Sequence, residues 1–174
     1  RIGRNELDAI ETLRAIVQAQ GEYARSAGRQ GPFSAYANRF ASTPGQRDGL
    51  YWPSAVGEPQ SPLGEYLAAA GTSGAAVRQP GQGPRPFNGY LFRILSAQGP
   101  NAPGGALNYV LNGRMIGGFA VVAWPARYGD SGIKTFIVRH DGIVYERDLG
   151  RNTDRIARTM NAFDPGPEWV KIAE

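Results

Sequence analysis

The sequence predicts an α+β domain: an N-terminal amphipathic helix packed on an antiparallel sheet of about four strands, with a C-terminal helix. Three observations carry this reading. Apolar residues recur at three- and four-residue steps over 5–24, the spacing of one helical face. From Phe87 the pattern switches to period two, which is the alternation of a strand. Asp141-Gly142 then joins two alternating runs. A tight two-residue turn needs positive φ at both central positions, which Asp tolerates and Gly adopts freely.

Composition sets the limits. At 174 residues a single domain over 1–174 is the simplest organisation, burying about two-thirds of the unfolded surface. Its expected parts are a helix (1–24), an irregular region with short helices (25–86), the sheet (87–150), and a C-terminal helix and tail (151–174). Hydrophobic residues make up 41% and charged residues 20%, so the chain folds rather than staying disordered. Gly (24) and Pro (13) exceed a fifth of it, which promises long irregular connections. The net charge is +4 and all but two of the 19 basic residues are Arg. They are scattered rather than clustered, so no nucleic-acid surface is expected. The absence of cysteine excludes disulfides, thiol catalysis and thiolate metal sites. No apolar run approaches the ~18–20 residues of a membrane span. The chain opens on Arg1 without a signal peptide, as expected of a processed or truncated product.

In the first helix Asn5 is the expected N-cap, with Glu6, Asp8 and Glu11 near the positive end of the helix dipole. Leu7, Ile10, Leu13, Ile16 or Val17, Gln20 and Tyr23 form the predicted inward stripe, opposite Glu11, Arg14 and Gln18. Gly28 and Gly31-Pro32 end the segment. A short helix is expected over 33–42 with Tyr36 and Phe40 inward. A second runs from Ser61-Pro62 to Ala70, with Ser as cap, Pro at the first helical position and Gly71 as the stop. Residues 71–86, rich in Gly, Pro and Gln, predict the greatest mobility.

Tyr90, Phe92 and Ile94 share one strand face, with Leu91, Arg93 and Leu95 on the other. A short strand over 108–111 precedes the Asn112-Gly113 turn. Strand 119–124 has almost no polar side chain, so it is expected at the sheet centre with both faces covered. In the final hairpin (133–139 and 143–149) a two-residue turn sets Val138 opposite Tyr145, Phe136 opposite Arg147 and His140 opposite Ile143. Arg139 then reaches Glu146 diagonally. The last helix spans 152–163, lies at a sheet edge, and turns Ile156, Met160 and Phe163 to one side.

Several stretches imitate catalytic motifs. Gly129-Asp130-Ser131-Gly132 has the composition of a serine-protease nucleophile turn, but Gly, Asp and Ser are also ordinary turn residues. The only histidine, His140, follows Ser131 in the chain and is expected at a hairpin tip. Ser131 with Lys134 spells S-x-x-K, yet Lys134 belongs to a strand rather than a helical turn. Asp48, Asp130 and Asp141 sit singly in Gly-containing loops, which is not a calcium-loop pattern. Gly81-Gln82-Gly83 reads as linker. No catalytic residue, metal site or cofactor is expected. Tyr51, Trp52, Trp124 and Tyr128 can instead line a ligand groove where the 43–60 loop meets the loop after Trp124.

Four stretches carry a family resemblance: RIGRNELDAIETLRAIVQAQ (1–20), STPGQRDGLYWPSAVGEPQSPLG (42–64), residues 89–129, and TFIVRHDGIVYERDLG (135–150). Through them the chain resembles exported bacterial proteins grouped as a domain of unknown function. The resemblance implies an exported precursor and a location in the periplasm or cell envelope of a Gram-negative bacterium. It carries over no catalytic residue. The succession LRAIVQAQGEYA, GYLFRI, then GGFAVVAWPARYGDSGIKTFIVRHDGIVYE is also similar in layout to the soluble part of type IV pilins and pseudopilins. That likeness lacks their hydrophobic N-terminal half-helix. The function expected is a non-catalytic envelope protein acting through contacts with an envelope protein partner, pilin-like in layout. The alternative is a small-molecule or cell-wall glycan binding module using the aromatic loop 43–60. A flat face favours the first, and an aromatic-lined cleft of about 300 Å³ or more favours the second.

Overall fold

A computed structural model describes residues 1–71 and 83–173. Its first half holds α1 (Ile2–Arg25), the hairpin β1 (Arg29–Gln30) and β2 (Phe33–Ser34), and α2 (Glu65–Ala69). Next come β3 (Tyr90–Leu95), β4 (Ala97–Gln98), β5 (Leu107–Asn108), β6 (Val110–Leu111) and β7 (Arg114–Met115). The chain ends with β8 (Ala120–Pro125), β9 (Lys134–Arg139), β10 (Val144–Asp148), α3 (Thr153–Thr159), β11 (Ala162–Phe163) and β12 (Val170–Lys171). The class is α+β, as the two periodicities predict. Most of the stretch 71–86, expected to be mobile, lies outside the described residues.

Helix α1 starts earlier than its acidic cluster suggests. Asn5 is not the N-cap; it lies in the first turn and donates to the Ser131 carbonyl at 2.9 Å. Glu6 accepts from the backbone N–H groups of Ile133 (3.2 Å) and Lys134 (2.8 Å). Two residues expected to serve the helix end therefore tie it to the start of β9 instead. The buried stripe is Ala9, Thr12, Leu13, Ile16, Ala19, Gln20 and Tyr23. Leu7, expected inward, is 64% exposed. At 3.6 residues per turn Leu7 stands about 120° from Leu13 and opposite Ile16. Strict steps of three drift off the face, and Ala9 and Thr12 occupy it.

The main sheet has the order β12-β10-β9-β8-β3 with every neighbour antiparallel. Four strands are long, and the two-residue β12 adds a fifth at the edge. This addition, made by a segment expected to be tail, moves the middle of the sheet from β8 to β9. Every residue of β8 is nevertheless buried. Alternation explains why. Trp124 donates to Asp154 at 2.9 Å and Arg93 to the Ala157 carbonyl at 3.2 Å, so that face meets α3. The other face, bearing Val121, Ala123, Phe136 and Val138, lies under α1. Helix α3 is therefore a second cover and not an edge element. It is also shorter than expected: Met160 turns extended, and β11 pairs in parallel with β4.

The hairpin register differs from the expected one by one residue. Val138 pairs with Val144 and Phe136 with Glu146. Gly142, at φ 80°, donates to the Arg139 carbonyl at 2.9 Å. This is a three-residue loop, in which a type I turn is completed by a left-handed glycine. Asp-Gly suits both loops, so the dipeptide alone does not choose between them. The slip exchanges faces. Val144 joins the core under α1, while Tyr145 packs edge-on to Phe163 at 5.8 Å. Arg139 pairs with Asp141 at 2.9 Å, and Glu146 with Lys134 at 3.8 Å.

No helix forms over 33–42. The buried Gln20 side chain takes the place of a neighbouring strand: its amide donates to the Ala37 carbonyl (2.7 Å) and accepts from the Ala37 N–H (2.8 Å). Phe40 is fully buried, and Tyr36 packs on Phe119 at 4.7 Å. Ser61 does not cap α2, since its hydroxyl donates to the Leu63 carbonyl and the helix starts after Gly64. The Asn112-Gly113 turn forms as expected, both residues at positive φ, joining β6 to β7.

Candidate functional site

The 43–60 loop is closed by short-range bonds that its composition makes possible. The Asp48 carboxylate accepts from the Thr43 N–H and the Thr43 hydroxyl, both at 2.7 Å. Burial opposes ionisation of Asp48, but the bonds from Thr43 and the nearby Arg39 hold its pKa below the ordinary carboxylate value. Ser42 and Tyr51 exchange the loop ends, with Ser42 N–H on the Tyr51 carbonyl and Tyr51 N–H on that of Phe40 (each 2.8 Å). Farther out, the Pro59 carbonyl accepts from the Trp52 indole (3.2 Å) and the Ser54 hydroxyl (2.9 Å).

This closure props a groove of about 630 Å³ between the loop and the C-terminal end of α1. Trp52, Pro59 and Pro62 form its apolar wall, Glu22 and Arg25 come from the helix, and Arg47 from the loop. The Arg47 guanidinium lies 5.3 Å from the Trp52 ring centroid and 3.3 Å from Glu58. Trp52 itself is only 6% exposed, so it offers an edge rather than a free face.

The four aromatic residues singled out in the sequence do not converge. Trp52 lines the groove. Tyr51 is half-buried at the loop base and contributes backbone bonds. Trp124 is fully buried, bonded to Asp154 with the Arg158 guanidinium 5.8 Å from its ring. The Tyr128 hydroxyl donates to Asp148 at 2.8 Å. The groove therefore faces the α1 terminus and not the loop after Trp124. Arg25 and Arg47 carry no sequence signal that separates them from the other scattered arginines.

Ser131 is buried in its own turn, its hydroxyl accepting from the Arg127 N–H at 3.0 Å and donating to the Arg127 carbonyl at 3.3 Å. Strand β9 separates it from His140 by about 16 Å, at 3.3 Å per residue. No hydroxyl–imidazole pair can form across that distance. Among the described residues no three acidic, His or Cys side chains gather at a metal-binding spacing, and no helix is long and apolar enough to cross a membrane.

A family model described as Protein of unknown function (DUF2950) matches residues 1–172. The chain belongs to the DUF2950 family. No curated protein matches it. No solved structure matches it either.

His140 is not the surface residue expected at a hairpin tip. Its ring packs edge-on to Tyr109 (5.9 Å) and Phe119 (6.2 Å), and its Nδ1 is buried with no hydrogen-bond partner among the described residues. Burial, then the Arg139 charge, lowers its pKa from 6.5. A histidine whose folded pKa is depressed binds protons more readily when unfolded. Stability therefore falls as pH drops below 6.5 toward the folded pKa, and is full above that window. Urea unfolding between about pH 7.5 and 5.5 should show this decline, and His140→Phe should flatten it.

Proposed function

We propose that the protein is a non-catalytic binding module of the periplasm or cell envelope of a Gram-negative bacterium, and that it acts by holding a segment of a partner protein in the Trp52 groove. The observation that carries this is the lining of the groove: its volume by itself suits a small ligand, but its one aromatic is nearly buried and its rim is charged with both signs. Its walls are stiff, because Pro59 and Pro62 restrict the backbone and the Pro59 carbonyl clamps Trp52. A preformed wall loses little entropy on binding. Glu22, Arg25 and Arg47 at the rim supply charges of both signs, which suit a polypeptide with its own mixed charges. The envelope location is supported by the resemblance to exported proteins.

Helix α1 across an antiparallel sheet matches a pilin-like layout in outline, and the groove adds a feature a flat packing face lacks. A glycan reading needs an open aromatic face. Trp52, nearly buried beneath Arg47, offers none.

The test is a photo-crosslinking amino acid placed at Gln60, on the groove, in the exported protein expressed in intact cells. The same group at the exposed Leu7 is the control, about 22 Å away along α1 at 1.5 Å per residue. A discrete protein adduct from position 60, absent from position 7 and lost with Arg47→Glu, is the expected result. Equal adducts at both positions, or none at 60, would refute the reading.

A further inference from the structure

A second hollow, of about 260 Å³, opens at the same end of α1 and shares only Ala27 with the Trp52 groove. Its phenol and its two charged groups come from three separate elements. Tyr23 projects from α1, Asp48 from the loop, and Arg114 from β7. Both Asp48 oxygens are engaged by Thr43, with Arg39 bonded to the Thr43 hydroxyl behind them. The Arg114 guanidinium gives one N–H to the Gly28 carbonyl at 3.1 Å. Asp48 and Arg114 form no ion pair with each other or with another described residue. The Tyr23 hydroxyl makes no hydrogen bond to a described residue, although the residue is only 7% exposed and lines the hollow.

Two opposite charges held apart on different elements, each fixed from behind, are complementary to a ligand that carries opposite charges apart. A volume below the ~300 Å³ of drug-sized sites limits that ligand to about amino-acid size. We propose that this hollow binds a free amino acid, with its carboxylate on Arg114 and Tyr23 and its ammonium on Asp48. Guanidinium meets carboxylate through paired, charge-assisted bonds. The Tyr23 phenol stays protonated, since burial and then the Asp48 charge raise its pKa, and it donates to the same carboxylate. Gln30 and Asn38 line the rest together with Ala35, Tyr36 and Met115, so the ligand's side chain meets polar as well as apolar surface. The inference stands apart from the Trp52 groove and does not depend on it.

Calorimetric titration of the whole chain tests it, with L-alanine, L-leucine and L-glutamate as probes at up to about 10 mM, a range that detects millimolar affinity. The N-acetyl and amide forms of each are the controls. At least one of the three free amino acids should bind, and blocking either of its termini should weaken binding about tenfold or more. Arg114→Gln should cost about tenfold and Tyr23→Phe about threefold or more, since one removes the ion pair and the other a single hydroxyl. If no free amino acid binds, if blocked forms bind as well, or if both variants bind like the parent protein, the assignment is overturned.

Discussion

Replacing Gln20 with leucine should lower stability by about 2–4 kcal/mol, because two buried backbone groups lose their partners at ~1–3 kcal/mol each. Leucine is close to glutamine in size and suits the core, so packing is not what fails. Gln20 is fully buried, and its amide exchanges both bonds with Ala37. Ala37, itself buried, then has a donor and an acceptor cut off from water. Urea denaturation reads the loss as a lower midpoint at an unchanged slope. Gln20→Glu sharpens the point. Its carboxylate can accept from the Ala37 N–H but cannot donate to the Ala37 carbonyl. Protonation restores a donor, so this variant should regain stability as pH falls, the reverse of the His140 effect. A leucine variant as stable as the parent would show that the 35–42 segment is held by something other than Gln20.

Trp124→Ala should cost about 3–5 kcal/mol, the range for deleting a fully buried aromatic side chain. Trp124→Phe keeps part of the packing but loses the indole N–H and the volume of the second ring, so it should cost about 1–3 kcal/mol. Burial opposes ionisation of Asp154, but Arg158 and the Trp124 N–H hold its pKa below the ordinary value. In Trp124→Phe that pKa should rise, which carboxylate titration by NMR can follow. The same variant should keep the position-60 adduct, while Arg47→Glu should lose the adduct and melt like the parent. This separation of stability from binding distinguishes the two tryptophans. A Trp124→Phe protein that folds normally but loses the adduct would return Trp124 to the binding site.

The periodicities carried the fold a long way. The stepped stripe of α1, the alternation from Tyr90 and the apolar run in β8 fixed element type, because helix and strand each present one face at a definite spacing. Asn112-Gly113 marked its turn correctly for a local reason, the positive φ of both residues. The candidate site was far less legible. Trp52 was visible as a bulky aromatic in an irregular loop, but Arg25 lies 27 residues before it and is one arginine among 17. Only folding places it beside Arg47.

Residue spacing alone was enough to read an α+β class, the order of the main elements and the doubly covered β8. All of these depend on spacing within a few residues of one another. The tertiary structure alone decided the hairpin register, the placement of α3 opposite α1, the strand-like role of Gln20, and the groove at the α1 terminus. Each depends on contacts between residues distant in the chain, where a side chain's partner is set by which surfaces pack together. Asn5, Glu6 and Gln20 show this most plainly. Read locally they are a cap, a dipole charge and an inward-facing polar residue. In the fold they are the bonds that fasten the helix to the turn before β9 and to the loop beside it.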